Sequence, residues 1–289
     1  MTSLTRPPAA AAPTTAEPGT TGPTATTTPG GRVLALARTE ATLLLRNRSA
    51  VFVAVSLPLL MVGALRGALE AAAERAPGLD LDAALVIGVI GFVLMFVVYY
   101  NLTAAYVARR NELVLKRLRT GEATDLEILA GTAVPPVGLA LLMSALVGGA
   151  GAALLRLPVP VNPLLIAAGL GLALVLLVAL AALSGTFTRT VETSGITTLP
   201  VLLLTQFGSG LLIPFEVMPD RIADLCRLLP TTPAFELIRL GWFGTDGAGP
   251  ATGFAGSWAG AAPHLAAGAL WSAAAVWAAR RRFRWEPRR

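Results

Sequence analysis

Side chains suited to chemistry are scarce in this 289-residue chain, and their scarcity excludes most enzymes. The only lysine, Lys116, sits between Leu115 and Arg117. No Gly-x4-Gly-Lys-Ser/Thr phosphate loop can therefore exist, so the chain does not bind ATP in that manner. The only histidine, His264, and the only cysteine, Cys226, stand far apart. They leave no zinc site of usual spacing and no Cys–His nucleophile pair, and one thiol excludes an internal disulfide. Ser209 of Gly208-Ser209-Gly210 likewise lacks a histidine to activate it. What the chain does concentrate is charge: Arg109, Arg110, Glu112, Lys116, Arg117 and Arg119 fall within one short stretch. Such a cluster does not catalyse. It orients a membrane protein, meets headgroups, or gives a partner something to push.

The elements that position this cluster are six apolar segments: Ser49–Leu65, Ala83–Val107, Ile128–Leu155, Leu164–Phe187, Ile196–Ile213 and Gly260–Ala279. About 20 apolar residues carry a helix across a bilayer. Numbering the connections alternately puts 17 Lys and Arg on the side of both termini and 6 on the other. Cytoplasmic loops collect these residues, so both termini are expected in the cytoplasm. Apolar residues make up 54%, charged residues 14%, and mean hydropathy is +0.67. These values are far from a soluble domain's. The net charge of +6 belongs to residues flanking membrane segments, which favours anionic headgroups over nucleic acid as partner. No Asp or Glu lies inside a segment, so an intramembrane carboxylate dyad or proton relay lacks its residues. The larger polar groups there are Tyr99, Tyr100, Asn101, Gln206 and His264. Each either ties helices together by hydrogen bonds or lines a polar path.

Residues 1–31, rich in Thr, Ala, Pro and Gly, bury too little to offset ordering entropy and are expected to be disordered. No apolar run follows Met1, so no signal peptide is expected. Between Arg32 and Arg48, Val33, Leu34, Ala37, Ala41, Leu44 and Leu45 repeat at helical spacing opposite Arg32, Arg38 and Arg46. That pattern, broken at Leu36 and Glu40, predicts an amphipathic helix lying in the cytoplasmic interface, with the frayed start of the first span as the alternative. Thr124-Asp125-Leu126-Glu127 has capping-box spacing and marks the start of the third span. Pro135-Pro136 predicts a kink or a later start. After the fifth segment, a short helix is expected from Asp220 as cap through Leu229, then another from Thr232-Pro233 through Leu240, ended by Gly241. The stretch Ile222–Leu229 is too apolar for a free loop. It predicts an external re-entrant hairpin covered by protein.

Two loops in this context resemble the permease subunits of ABC-2-type ABC transporters, in particular the bacterial drug-exporter-like branch. One is Arg109-Arg110-Asn111-Glu112 followed by Leu115-Lys116-Arg117-Leu118-Arg119. The other is Ser209-Gly210, then Pro214-Phe215-Glu216-Val217-Met218-Pro219, then Pro233 and Arg239. The resemblance runs from Arg32 to Arg282; it departs at Thr120-Gly121, where family members often read Thr-Pro.

The resemblance implies an all-α membrane protein. It would have six transmembrane helices, an N-terminal interfacial amphipathic helix and an external re-entrant helical hairpin between helices 5 and 6. A six-helix domain over residues 32–282 would be followed by a basic cytoplasmic tail at 283–289. The chain would sit in the bacterial inner membrane and pair with a second permease. ATP and Mg would be bound by a separate ATP-binding subunit, with no cofactor on this chain. Arg109, Arg110, Glu112, Lys116, Arg117, Leu118 and Arg119 would couple to that ATPase. Tyr99, Asn101, Gln206 and Phe207 would line an export path for an amphiphilic, drug- or antibiotic-like molecule. Export of a lipid-linked glycan or other envelope component is the alternative within transport. A membrane anchor or assembly factor is the alternative outside it.

Overall fold

The computed structural model describes residues 48–74, 80–112, 125–245 and 250–282, together with Gly31, Arg38 and Thr42. The tail before Gly31, most of the expected amphipathic helix, the loop 113–124 with Thr124, and the C-tail 283–289 lie outside the described residues. Of the amphipathic segment, Arg38, Thr42 and Arg48 are helical, and Thr42 Oγ1 donates to the Arg38 carbonyl at 2.8 Å.

Every regular element among the described residues is a helix. In order they are α1 (Arg48–Ala73), α2 (Leu81–Asn111), α3 (Asp125–Leu154), α4 (Pro163–Phe187) and α5 (Ser194–Gly208). A 3₁₀ turn, Phe215–Val217, precedes α6 (Asp220–Arg227), α7 (Thr232–Phe243) and α8 (Phe254–Arg282). Among the described residues, three stretches are long and apolar enough to cross a membrane: α2 with 31 residues, Glu127–Leu154 of α3 with 28, and α4 with 25. The 29-residue α8 is longer than α4 but is interrupted by glycines, serines, Pro263 and His264.

At the centre stands α2. Its most apolar window is 78% buried inside the protein, against 44% for α4 and 22% for α3. Asp80 caps it by accepting the Ala83 amide at 3.0 Å, and Arg109 and Arg110 close its last turn, where cations suit the helix dipole. Between Leu94 and Tyr100 the helix widens into a π-helical segment, a feature the sequence pattern did not announce. α3 runs unbroken through Pro135 and Pro136 from Asp125, so the expected later start is not taken.

The expected fifth segment, Ile196–Ile213, is cut short. α5 stops at Gly208 after 15 residues, about 22 Å of rise against the roughly 30 Å of a hydrocarbon core. The cause is local. Gly210 takes a left-handed φ of 72°, and the Leu212 amide turns back to the Gln206 carbonyl at 2.9 Å. The irregular stretch that follows packs on α2, and Gly88 and Gly91 make room for it. A Cβ on Gly88 would lie 2.6 Å from the Leu211 carbonyl oxygen.

The two short helices also differ from expectation. Pro219 rather than Asp220 takes the cap position of α6, and the helix ends at Arg227, not Leu229. α7 continues to Phe243 and is ended by Gly244 at φ 72°, whose amide reaches the Leu240 carbonyl at 2.8 Å. Gly241 serves another purpose. A Cβ there would stand 2.8 Å from the Asn162 carbonyl oxygen and the Ile166 amide, so the glycine is what lets α7 touch α4.

Candidate functional site

The charged end of α2 is held from inside the protein. Arg110 is 1% exposed. Its guanidinium donates to the Gly185 carbonyl at 2.7 Å and to the Thr188 carbonyl at 2.5 Å. These carbonyls belong to the last turn of α4 and to the Thr188 cap that follows it, where no further helical amides remain to satisfy them. Beside it, Asn111 Nδ2 donates to the Arg189 carbonyl at 3.2 Å. One turn earlier, the Tyr106 hydroxyl donates to the Leu129 carbonyl of α3 at 2.9 Å. The charged segment is thus fastened to α3, to α4 and to the turn that leads into α5. Arg109 is half-buried and Glu112 exposed at this end. Lys116, Arg117, Leu118 and Arg119 lie outside the described residues.

The turn from α4 to α5 is stiffened by its own hydroxyls. Thr188 Oγ1 donates to the Ser184 carbonyl at 2.8 Å and Thr193 Oγ1 to the Thr190 carbonyl at 2.9 Å. The exposed Glu192 carboxyl is held below the usual carboxylate range, chiefly by its own backbone amide and then by the Thr190 hydroxyl. It therefore keeps its negative charge well into mild acid.

The four candidate path residues separate. Tyr99 is fully buried, and its hydroxyl shares a 2.8 Å hydrogen bond with Ser184 Oγ of α4. Asn101 is exposed and lines neither of the grooves beside α5. Gln206 and Phe207 do come together. They line a groove of about 340 Å³ between α1, α2 and α5, with Met61, Phe92 and Phe96 opposite. Phe207, Leu203 and Leu212 are shared with an adjoining groove of about 1140 Å³ that continues toward Met218, Ile222 and Leu225. Its lining side chains are hydrocarbon save the sulfurs of Met218 and Cys226. Phe92 stacks on Phe96 with centroids 4.2 Å apart, and Phe96 meets Tyr100 at 6.0 Å. This aromatic ladder escaped the sequence reading, although its spacing of four residues was there to be read.

At the opposite end of the bundle, the two halves of the second motif meet. Arg239 of α7 donates to Glu216 of the 3₁₀ turn at 2.5 Å. Behind this pair four buried hydroxyls join α5 to α7. Ser209 Oγ pairs with Thr231 Oγ1 at 2.7 Å, Thr231 reaches Thr205 at 3.3 Å, and Thr232 reaches Ser209 at 3.2 Å. Asn162, 0% exposed, completes that end: its amide nitrogen donates to Ser257 Oγ of α8 at 3.0 Å, and its backbone N–H to the Gly241 carbonyl at 2.7 Å. His264 sits half-buried in α8.

No three His, Cys, Asp or Glu side chains gather as metal ligands among the described residues. The arrangement offers hydrogen-bonded fastening at two ends and apolar grooves between them. No curated protein matches the chain. A protein-family model described as "ABC-2 type transporter" matches residues 32–243.

Proposed function

The chain belongs to the ABC-2 type transporter family, and from that premise we propose that it is the membrane-spanning permease subunit of an ATP-driven exporter in a bacterial inner membrane. Membership makes it a membrane component of an ABC transporter and fits the lack of catalytic residues. In this reading a separate subunit binds ATP and Mg and hydrolyses the nucleotide, and two permease chains pair. α1, α2, α3, α4, α5 and α8 are the six crossings, with both termini in the cytoplasm. The short α5 completes its crossing through the irregular stretch after Gly208, and α6 with α7 forms the external re-entrant hairpin. That placement keeps non-helical backbone where protein covers it.

The observation that carries the mechanism is the buried Arg110. The loop 113–124, with Lys116, Arg117, Leu118 and Arg119, receives the push of the ATPase. Arg110 sits at its root and bonds the last turn of α4 and the start of the α4–α5 turn. A displacement of the loop therefore moves the ends of α2 and α5 together. The groove lined by Phe92, Phe96, Gln206 and Phe207 lies between those two helices and changes width when they move. Its wall is hydrocarbon and aromatic with one thioether and one amide, which suits an amphiphilic drug- or antibiotic-like molecule. The Glu216–Arg239 pair and the hydroxyl cluster hold the outer hairpin over its end. Tyr99, by its bond to Ser184, ties α2 to α4. Export of a lipid-linked glycan or envelope component stays the second reading, and the apolar groove of about 1140 Å³ would accommodate lipid chains.

The test is reconstitution. The chain co-purifies with a phosphate-loop ATPase, and proteoliposomes holding both move an amphiphilic dye on ATP addition. Arg117→Glu leaves the complex assembled but abolishes the permease-stimulated part of hydrolysis. A chain that stays alone, with Arg117→Glu changing nothing, would place the protein among anchors or assembly factors instead.

A further inference from the structure

A third groove lies on the other side of the bundle, away from α5. It holds about 450 Å³ between α3, α4 and α8, with Ala133, Val137, Leu174, Val178 and Val276 among its walls and the Tyr106 ring at its floor. Apart from the Tyr106 hydroxyl and the Arg280 guanidinium, every lining side chain is hydrocarbon. The tyrosine hydroxyl is already bonded to the Leu129 carbonyl, so it offers nothing to a guest. Arg280 stands at the mouth, exposed, and makes no hydrogen bond or ion pair among the described residues. Arg281 and Arg282 follow it in the same turn, and the Arg281 guanidinium lies over the Trp277 ring at 4.5 Å. An arginine-capped tryptophan marks where a helix leaves the hydrocarbon for the headgroup region.

The dimensions select the guest. From Ala182 to Leu174 the groove follows α4 for about 12 Å of helical rise, close to the depth of one leaflet of a roughly 30 Å core. A helix about 10 Å across would rest on such an open groove rather than enter it. An acyl chain needs far less width. The positive mouth selects among lipids, since basic pockets between membrane helices on the cytoplasmic side hold anionic headgroups. We propose that this groove is a binding site for an anionic phospholipid of the cytoplasmic leaflet, one acyl chain lying along α4 and the phosphate held by Arg280. The site rests on the cytoplasmic placement of the α8 C-terminus given above. Protease access to a C-terminal tag in sealed vesicles reads that placement separately, so the two failures are distinguishable.

The experiment uses the full chain in mild detergent with equal amounts of phosphatidylglycerol and phosphatidylcholine of identical acyl chains, and native mass spectrometry counts retained lipid. The wild type retains phosphatidylglycerol in preference. Arg280→Ala lowers that preference about fivefold, the weight of one arginine at an anionic surface. Ala130→Phe, at an exposed wall position, leaves the melting temperature in place and removes both lipids. Equal retention of the two lipids by the wild type would overturn the proposal. So would lipid counts unchanged by Ala130→Phe, or a loss of self-association in that variant with lipid counts intact.

Discussion

A guanidinium taken out of water must find acceptors for its hydrogens, and a helix C-terminus has carbonyls with no amide left to bond them. Arg110 and α4 answer each other on those terms. Arg110→Ala removes both bonds and leaves two carbonyls without this donor; hydrogen bonds to a charged group are worth about 1.5–3 kcal/mol each. The expected result is a melting temperature lowered by several degrees in detergent. Arg110→Lys keeps the charge but not the fork, and recovers part of the loss. The transport reading adds a second readout: complexes of Arg110→Ala that survive purification hydrolyse ATP but export less per ATP consumed. An alanine variant as stable as the wild type would remove Arg110 from its place in the mechanism. The sequence marked this residue by its charge and its neighbours. Its depth was not legible, because a run of arginines looks the same whether one of them faces inward or none does. Glu216 and Arg239 were both singled out, yet nothing in a separation of 23 positions says that they touch.

Helix existence was readable from apolar runs, and helix ends were less so. The segment Ile196–Ile213 reads as one continuous span because hydropathy averages over a bend; only the Gly208-Ser209-Gly210 triplet hinted at the break. The two glycines at the end of α7 show the same limit. Gly241 and Gly244 are equally good terminators by residue type, and three-dimensional contact decides between them. Gly241→Ala would press a methyl group into the backbone of α4, an overpacking that costs about 1–3 kcal/mol. Gly149→Ala, with nothing within 4 Å of its Cβ, is the matched control and leaves stability unchanged or slightly raised. Thermal denaturation of the two variants side by side reads the difference. If they melt alike, α7 does not sit against α4 as described.

Across the whole molecule, the asymmetry of arginine and lysine gave the proposed orientation, and the lone cysteine makes it measurable. Starting from Cys226→Ser, single cysteines at Arg66, Arg156, Glu192 and Arg282 can be probed with an impermeant maleimide on intact cells. The first two positions label from outside, and the last two only after permeabilisation. External labelling at Glu192 would break the six-crossing topology at α4 and α5. Hydropathy also bears on how the chain enters a membrane. α2 and α4 are apolar enough to leave the translocon unaided, with mean hydropathies of 2.7 and 2.9 over their best windows. The short α5 and the alanine-rich α8 are not among the helices that meet that standard. On the six-crossing reading, their insertion needs the surfaces of α2 and α4 already in place to receive them. Biogenesis then has an obligatory order, with the N-terminal half acting as the intramembrane template for the C-terminal half. In a ribosome-stalled intermediate long enough to expose α5, a cysteine at Leu203 would stay accessible to a water-soluble maleimide, whereas one at Val93 of α2 would not.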